Sequence, residues 1–335
     1  MTVVYHDEDG DLNALIGRTV SVIGYGNMGR PVALNLRDSG INVIVSEPNP
    51  ERHSLVRAEG FTPVSIDEAI TRADIIMPLV RDEAMPKIYL EQISPHLRRG
   101  HMLVFSSSYN IAFGFIEAPP FVDVGLVSAR TIGTSVRERY ISGEGFASFV
   151  AVGQQANPNA WATVLALAKA IGALKAGAVE IRFEQESELD LFLQQAVLPI
   201  FHRVVITAAQ LLIRMGYPPE AVFTELYISG ETSDYLKAAA QHGLMNALKL
   251  NSLPAQYGVL SRYERFNDSR LERLMEITLE EIRGGKFAGE WSKEFAADYP
   301  RLRQLLRERE RMDLWELEQQ TLDLMGRTGE LNVDS

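Results

Sequence analysis

Residues 17–29 read Gly17-Arg18-Thr19-Val20-Ser21-Val22-Ile23-Gly24-Tyr25-Gly26-Asn27-Met28-Gly29, an apolar, β-branched run followed by a glycine-rich turn. This order predicts a strand, a tight turn and a helix, the arrangement that binds a dinucleotide. Gly24 permits the turn, Gly26 lets a pyrophosphate approach the backbone, and Gly29 lets the helix pack close to the sheet. The diphosphate then lies at the helix N-terminus, where free N–H groups point at it. The residues expected to contact the dinucleotide here are Gly24, Tyr25, Gly26, Asn27, Met28 and Gly29.

Composition excludes several classes of protein. A chain of 335 residues is long for a single core and predicts two domains. Its net charge of −11 argues against binding to nucleic acid or to an anionic membrane. The absence of Cys excludes disulfides, thiolate metal sites and cysteine nucleophiles. Since the N-terminal stretch is acidic and no run of about 18 apolar residues occurs, we expect no signal peptide, no membrane span and a cytoplasmic location.

The pattern of apolar residues divides the chain into two domains. The first half predicts strands at 20–23, 43–45, 75–79, 102–105, 122–127 and 149–152, with helices at 28–39 and 65–72. This alternation predicts an α/β Rossmann domain with a parallel sheet over residues 1–182. Apolar residues at three- and four-residue spacing then predict helices at 184–215, 219–240 and 269–284. We therefore expect an all-α domain over 183–328 and a tail at 329–335. The Arg- and Glu-rich stretch 301–325 predicts a terminal helix with a solvated face, or alternatively a partner-binding element.

Glu47 is the candidate second contact with the dinucleotide. It lies 18 residues after Gly29 (47 − 29), where an acidic residue accepts hydrogen bonds from the adenine ribose. A carboxylate there repels a 2′-phosphate, which slightly favours NAD(H). Arg52 and His53 follow closely and are able to bind that phosphate, so NADP(H) stays open. The residues after the next strand, expected beside the adenosine, are Leu79, Val80 and Arg81.

Several further stretches carry a family resemblance. They include 23–26, 33–40, Asn110-Ile111, Val136-Arg137, 188–192, 195–198, 256–258, 280–282, 287–288 and 290–291. With these residues the chain resembles the ketol-acid reductoisomerase (acetohydroxy acid isomeroreductase) family, short bacterial type, over nearly its whole length. The resemblance implies a Rossmann domain followed by a knotted helical domain, through which the protein forms a homodimer.

The family resemblance also implies a metal centre, and here this sequence departs from it. The family moves an alkyl group and then reduces the product with NAD(P)H, using two Mg²⁺ ions held by a D-x-x-x-E pair and an E-x-x-x-E pair. The corresponding positions in this chain are Asp190 with Gln194 and Thr224 with Ile228. Glu225 is close in sequence but points about 100° away from Thr224 on an α-helix. Because Mg²⁺ prefers carboxylate ligands, we expect no metal.

Two more positions depart from the family. Its histidine before the Asn-Ile pair is Ser107 here, and its lysine after the following strand is Arg130. Serine lacks a near-neutral pKa, and arginine stays charged and cannot pass a proton. We therefore expect a metal-independent NAD(P)-dependent oxidoreductase that reduces a small ketone, keto acid or imine without alkyl migration. Ser106 and Ser107 are expected at the nicotinamide, and Ser107 is also a candidate for catalysis.

The remaining candidates are assigned individual roles. Arg130 is expected to clamp a substrate carboxylate, or else to cap a loop as a structural cation. Asp190 is expected to act as an acid or to hold a cationic nitrogen. The other candidates are Gln194, Thr224 and Glu225 for catalysis, and Tyr227 and Ser252 for substrate binding. Two alternatives remain open: a true Mg²⁺-dependent ketol-acid reductoisomerase with a displaced metal site, and a non-catalytic NAD(P)-binding protein.

Overall fold

A computed structural model describes residues 2–327 and divides the chain into two compact units. The first unit ends at Leu189 and the second begins at Asp190, seven residues beyond the expected boundary at 182 (189 − 182). The proposed tail at 329–335 lies outside the described residues.

The first unit contains an eight-stranded sheet. Its strands are β1 (Val4–Tyr5), β2 (Thr19–Ile23), β3 (Asn42–Ser46), β4 (Ile75–Pro78), β5 (Met102–Phe105), β6 (Asp123–Ala129), β7 (Ser148–Gln154) and β8 (Ala178–Glu180). They are arranged in the order β1-β8-β7-β6-β5-β4-β2-β3. Its helices are α1 (Gly29–Asp38), α2 (His53–Ala58), α3 (Ile66–Arg72), α4 (Met85–Ile88), α5 (Tyr109–Ala112), α6 (Gly133–Ser142) and α7 (Ala160–Ile171). A π-helical segment, Tyr89–Ile93, follows α4, and short 3₁₀ turns occupy Asp7–Asp9, Leu12–Leu15, Pro50–Arg52 and Ser94–His96.

The predicted α/β Rossmann class is confirmed. Strands β3, β2, β4, β5 and β6 run parallel. Two pairs are antiparallel, β6 with β7 and β1 with β8, which the sequence pattern did not predict. Val20 and Val22 of β2 pack into one apolar cluster and Ile23 into another. All three are fully buried, as expected for a parallel strand covered on both faces.

The second unit is helical throughout its regular elements. Its α-helices are α8 (Phe183–Phe192, which begins in the first unit), α9 (Leu198–Arg214), α10 (Pro219–Phe223), α11 (Glu231–His242), α12 (Leu244–Ala247), α13 (Leu253–Arg262), α14 (Ser269–Arg283), α15 (Lys286–Ala296), α16 (Pro300–Glu310) and α17 (Asp313–Leu324). The π-helical segments Leu193–Val197 and Thr224–Ile228 follow α8 and α10, and 3₁₀ turns occupy Leu248–Leu250 and Tyr263–Phe266. The single terminal helix expected over 301–325 is therefore two helices.

One helical run of the second unit leaves much apolar surface uncovered in a single chain. From α8 through α9, residues Phe183–Arg214 form 32 helical residues, and an 18-residue window within them has a mean hydropathy of 1.8 and is 11% buried. By length and composition alone this run is able to cross a membrane. The sequence analysis did not detect it, because it searched only for uninterrupted apolar residues. Phe201 and Val204 are 47% and 62% exposed.

Candidate functional site

The glycine turn has the geometry that a close backbone approach requires. Gly24 has φ +96°, and a Cβ there would lie 2.7 Å from the carbonyl oxygen of Leu79. A Cβ on Gly29 would lie 2.0 Å from the carbonyl oxygen of Gly24. A side chain at either position would therefore displace the backbone. A Cβ on Gly26 would instead meet a side chain, since it would lie 2.8 Å from Nη1 of Arg52.

Glu47 is a buried carboxylate that ties the end of β3 to this turn. It is 7% exposed and accepts hydrogen bonds from the backbone N–H groups of Tyr25 and Asn49, at 2.6 Å and 2.7 Å. Nε2 of His53 lies 2.8 Å from the Glu47 carbonyl oxygen. A ribose hydroxyl would share these carboxylate oxygens with two backbone donors, so ribose binding by Glu47 stays a prediction.

The other expected cofactor contacts surround the turn or follow a neighbouring strand. Leu79 donates its N–H to the Ile23 carbonyl at 2.7 Å, which places it beside Gly24. Val80 is half-buried next to it, and Arg81 pairs with Glu83 at 3.5 Å. The phenol of Tyr25 donates to Glu59, and burial together with this bond raises the pKa of Tyr25.

A buried carboxylate that the sequence analysis missed lies beyond the carboxyl ends of β5 and β6. Glu186 is 2% exposed. Its Oε2 accepts the backbone N–H of Ser108 at 2.9 Å and the Ser108 hydroxyl. Its Oε1 accepts the Ser128 hydroxyl at 2.8 Å and Nη1 of Arg130 at 3.2 Å. This fully hydrogen-bonded network fixes Glu186 and Ser108, as a buried charge requires.

Arg130 is held on two sides by this network. Besides Glu186, its guanidinium carbon lies 5.1 Å from the ring centroid of Phe149. The Arg130 side chain is 25% exposed. An arginine fixed in this way supplies a permanent, oriented positive charge. The structure therefore shows a positioned cation, and its expected role as a carboxylate clamp stays a prediction.

The expected nicotinamide residues flank the same network. Ser107 is half-buried, and its hydroxyl accepts the N–H of Tyr109 at 3.3 Å. Burial raises the pKa of Tyr109 to about 12, so this phenol stays neutral. Ser106 is also half-buried. A signal for Glu186 was present in the sequence, because it lies four residues before Asp190, a spacing that places two side chains on one face of an α-helix.

The second unit contains the remaining candidates, described here by themselves. Nε2 of Gln194 donates to Asp190 at 2.7 Å. The phenol of Tyr227 donates to Glu318. Burial together with this carboxylate raises the pKa of Tyr227. The hydroxyl of Ser252 accepts the N–H of Ala255 at 3.4 Å as the N-cap of α13. None of these contacts tests the catalytic or substrate roles expected of them.

The segment that contains two of the family's four ligand positions, Thr224 and Ile228, does not follow α-helical geometry. Residues Thr224–Ile228 form a π-helical turn, so the angle of 100° per residue used to orient Glu225 does not apply there. Ile228 is 4% exposed and belongs to the apolar core of this unit. Within residues 2–327 no group of three or more His, Cys, Asp or Glu side chains is placed to hold a metal ion.

Comparison with known proteins identifies the family. Residues 14–177 match the family described as acetohydroxy acid isomeroreductase, NADPH-binding domain, and residues 183–327 match the ketol-acid reductoisomerase C-terminal domain. The chain belongs to the ketol-acid reductoisomerase family. The ketol-acid reductoisomerase (NADP(+)) of Pyrobaculum neutrophilum is 37% identical over 91% of this chain and 94% of that protein. The protein of the same name from Methanocaldococcus jannaschii is 37% identical over 92% and 93%.

A solved structure agrees with this family assignment. The NADH-preferring ketol-acid reductoisomerase from an uncultured archaeon has a TM-score of 0.89 and 32% identity, covering 96% of this chain and 99% of that one. A semialdehyde dehydrogenase NAD-binding protein from Cupriavidus necator, at 20% identity and a TM-score of 0.62, shares the fold alone.

These findings correct three expectations. The expectation of a metal-independent oxidoreductase without alkyl migration is wrong, because relatives that match more than nine-tenths of the chain are ketol-acid reductoisomerases. The expectation that the protein is not an isomeroreductase is wrong for the same reason. The expectation of no metal and a preference for NAD is also wrong, because the family requires Mg²⁺ and the matching N-terminal domain is described as NADPH-binding.

Proposed function

We propose that the chain is a ketol-acid reductoisomerase, which couples an alkyl migration in an acetohydroxy acid to reduction by NADPH. The observation that carries this proposal is the match of both family domains, in order, over residues 14–177 and 183–327. The substrate is then a small, anionic 2-hydroxy-3-keto acid. Binding and orienting that anion beside the nicotinamide is the task of the chain's own residues.

The glycine turn is the proposed cradle for NADPH. Gly24 and Gly29 permit the tight turn into α1. At the N-terminus of α1, backbone N–H groups and the helix dipole favour an anion such as the diphosphate. Arg52 lies over Gly26 and supplies a cation next to the diphosphate and the adenine ribose. Glu47 holds the turn and the following loop together through Tyr25 and Asn49.

Arg130 is the proposed anion-binding group for the substrate. Glu186 and Phe149 fix its guanidinium, and a pre-oriented guanidinium loses less conformational freedom when it binds a carboxylate. Ser107 and Ser108 follow β5 on the adjacent loop, where Ser108 is locked by Glu186. We propose that this network orients the substrate and keeps water away from the reacting carbon.

The residues at the family's metal-ligand positions differ from the carboxylates that hold Mg²⁺ in the family. Of the four family ligand positions only Asp190 is a carboxylate, and Gln194 donates its amide to it. Ile228 is buried and has no ligand atom. The described residues of one chain therefore do not fit a centre of two Mg²⁺ ions. We propose that the chain is a divergent member of its family at these positions.

We also propose that two copies associate through the helical unit and act in the cytoplasm. The apolar side chains exposed on α9, including Phe201 and Val204, are a surface of the kind that obligate dimers bury. Sedimentation of the full chain at several concentrations would test this association. A monomer at micromolar concentration would contradict it.

The decisive experiment is turnover of 2-acetolactate with NADPH, with Mg²⁺ and with a chelator. We expect loss of NADPH that depends on 2-acetolactate, and the chelator shows whether a metal supports turnover despite Gln194, Thr224 and Ile228 at the family's ligand positions. The variant Gly24→Val serves as a control that removes NADPH binding, whereas Gly289→Val, which has no atom within 4 Å of its Cβ position, does not. Tight binding of NADPH without turnover at any Mg²⁺ concentration would refute the proposal and indicate a non-catalytic dinucleotide-binding protein.

A further inference from the structure

Both ends of one segment of the first unit are bound by the same residue, Tyr25 of the glycine turn. The segment covers residues 47–59, from the residue after β3, through α2, to the residue after α2. At its beginning, the carboxylate of Glu47 accepts the backbone N–H of Tyr25 at 2.6 Å. At its end, the carboxylate of Glu59 accepts the phenol of Tyr25 at 2.8 Å. The intervening residues therefore form a loop that is closed against the turn, and we call it the 47–59 loop.

The side chain of Tyr25 is buried beneath this loop. Tyr25 is 1% exposed, and its ring packs edge-on against Phe61, with 5.9 Å between the ring centroids. Burial is the main cause that raises the pKa of the phenol, which therefore stays protonated as the donor to Glu59. Arg30 of α1 also holds Glu59, because its guanidinium donates to both carboxylate oxygens. A side chain buried in this way acts on a bound dinucleotide only through the residues that it holds.

The 47–59 loop carries a cation above the glycine turn. Nη1 of Arg52, in the middle of the loop, lies 2.8 Å from the point that a Cβ on Gly26 would occupy. A guanidinium binds a phosphate through directed hydrogen bonds, so its affinity depends on where the backbone places it. NADPH differs from NADH by the 2′-phosphate on its adenine ribose. We propose that Tyr25 is a positioning residue for NADPH, which fixes both ends of the 47–59 loop and so places Arg52 for the 2′-phosphate. This inference rests on the proposed function, in which the turn binds NADPH.

Fluorescence titration of the full-length protein with NADPH and with NADH would test this inference. Tyr25→Phe removes the phenol oxygen and keeps the ring against Phe61. We expect it to weaken NADPH about fivefold, the effect of one typical hydrogen bond, and to change NADH less than about twofold. The matched control is Tyr5→Phe, since Tyr5 also donates to a carboxylate, that of Glu180, at 2.8 Å, but at the opposite edge of the sheet. The control should change neither affinity. Because the ratio of the two affinities is measured within one protein, a smaller folded fraction does not alter it.

A double variant tests whether Tyr25 acts through Arg52. If it does, adding Tyr25→Phe to Arg52→Gln should leave the ratio of NADPH affinity to NADH affinity as it is in Arg52→Gln alone. A further fall of this ratio in the double variant would overturn the proposal. Unchanged NADPH affinity in Tyr25→Phe, or equal weakening of NADPH and NADH, would overturn it as well. A wild-type protein that binds neither dinucleotide would instead refute the proposed function, and this inference with it.

Discussion

Replacing Glu186 by Gln tests whether the buried network around Arg130 is held by charge. The carboxylate is 2% exposed and accepts from Ser108, Ser128 and Arg130. The amide of Gln keeps one oxygen as an acceptor, but its NH₂ group then faces hydrogen-bond donors that the second carboxylate oxygen had accepted. The amide also leaves the guanidinium of Arg130 without a counter-charge. Removing one partner of a buried pair costs about 3–5 kcal/mol. Since the Arg130 side chain is 25% exposed, we expect a loss at the lower end, about 3 kcal/mol.

Urea denaturation of four proteins would measure this effect. They are the wild type, Glu186→Gln, Arg130→Met and the double variant. The double variant should lose less free energy of unfolding than the two single variants lose together, by at least about 1 kcal/mol. The reason is that the double variant no longer buries an unpaired charge. Glu184→Gln, on the exposed face of the same helix, is the matched control and should lie within about 0.5 kcal/mol of the wild type. Additive losses from the two single variants would show that Glu186 and Arg130 are not coupled.

Three further predictions concern the glycine turn and one buried histidine. Gly29→Ala should abolish NADPH binding in fluorescence titration, since its Cβ would lie 2.0 Å from the Gly24 carbonyl oxygen; unchanged affinity would contradict the described turn. Arg52→Gln should weaken NADPH at least about tenfold more than NADH, because a charge on the 2′-phosphate loses its partner; equal weakening would place Arg52 at the diphosphate instead. Burial is the main cause that lowers the pKa of His101 from its usual 6.5 to about 4. As the pH falls below 6.5, the imidazole therefore binds a proton in the unfolded chain but not in the folded one. The free energy of unfolding thus decreases as the pH drops from 6.5 toward 4. The loss is at most about 3–4 kcal/mol, because one pKa unit corresponds to about 1.36 kcal/mol, and His101→Gln should remove that slope from denaturation midpoints measured across this pH range.

Strands with a strong apolar pattern were predictable, and the short edge strands were not. Every strand expected from the alternation is present, with ends that differ by no more than two residues. Strands β1 and β8 contain two and three residues, too few for a repeating pattern to be recognised. The antiparallel direction of β7 could not be predicted from the local sequence either. A helix, α6, precedes β7, just as helices precede the parallel strands.

The candidate site was predicted in part. Local spacing was enough to find the glycine turn and Glu47, since both lie in one βαβ unit. Glu186 was missed because its partners, Ser108 and Ser128, lie 78 and 58 residues away in the chain. The orientation of Glu225 failed for a different reason, since a π-helical turn has no distinct sequence signature and changes the angle between successive side chains.

Strand β1 sets the time at which the first unit can be completed during synthesis. Its Tyr5 donates to Glu180, 175 residues later, and Val3 accepts the N–H of the same residue. At roughly 5–20 residues per second, the ribosome needs about 9–35 seconds to supply that partner. Throughout this interval the opening segment has no partner strand, because β8 has not yet been synthesised. Extending or trimming the chain before Val3 should therefore alter the yield of folded protein more than its activity.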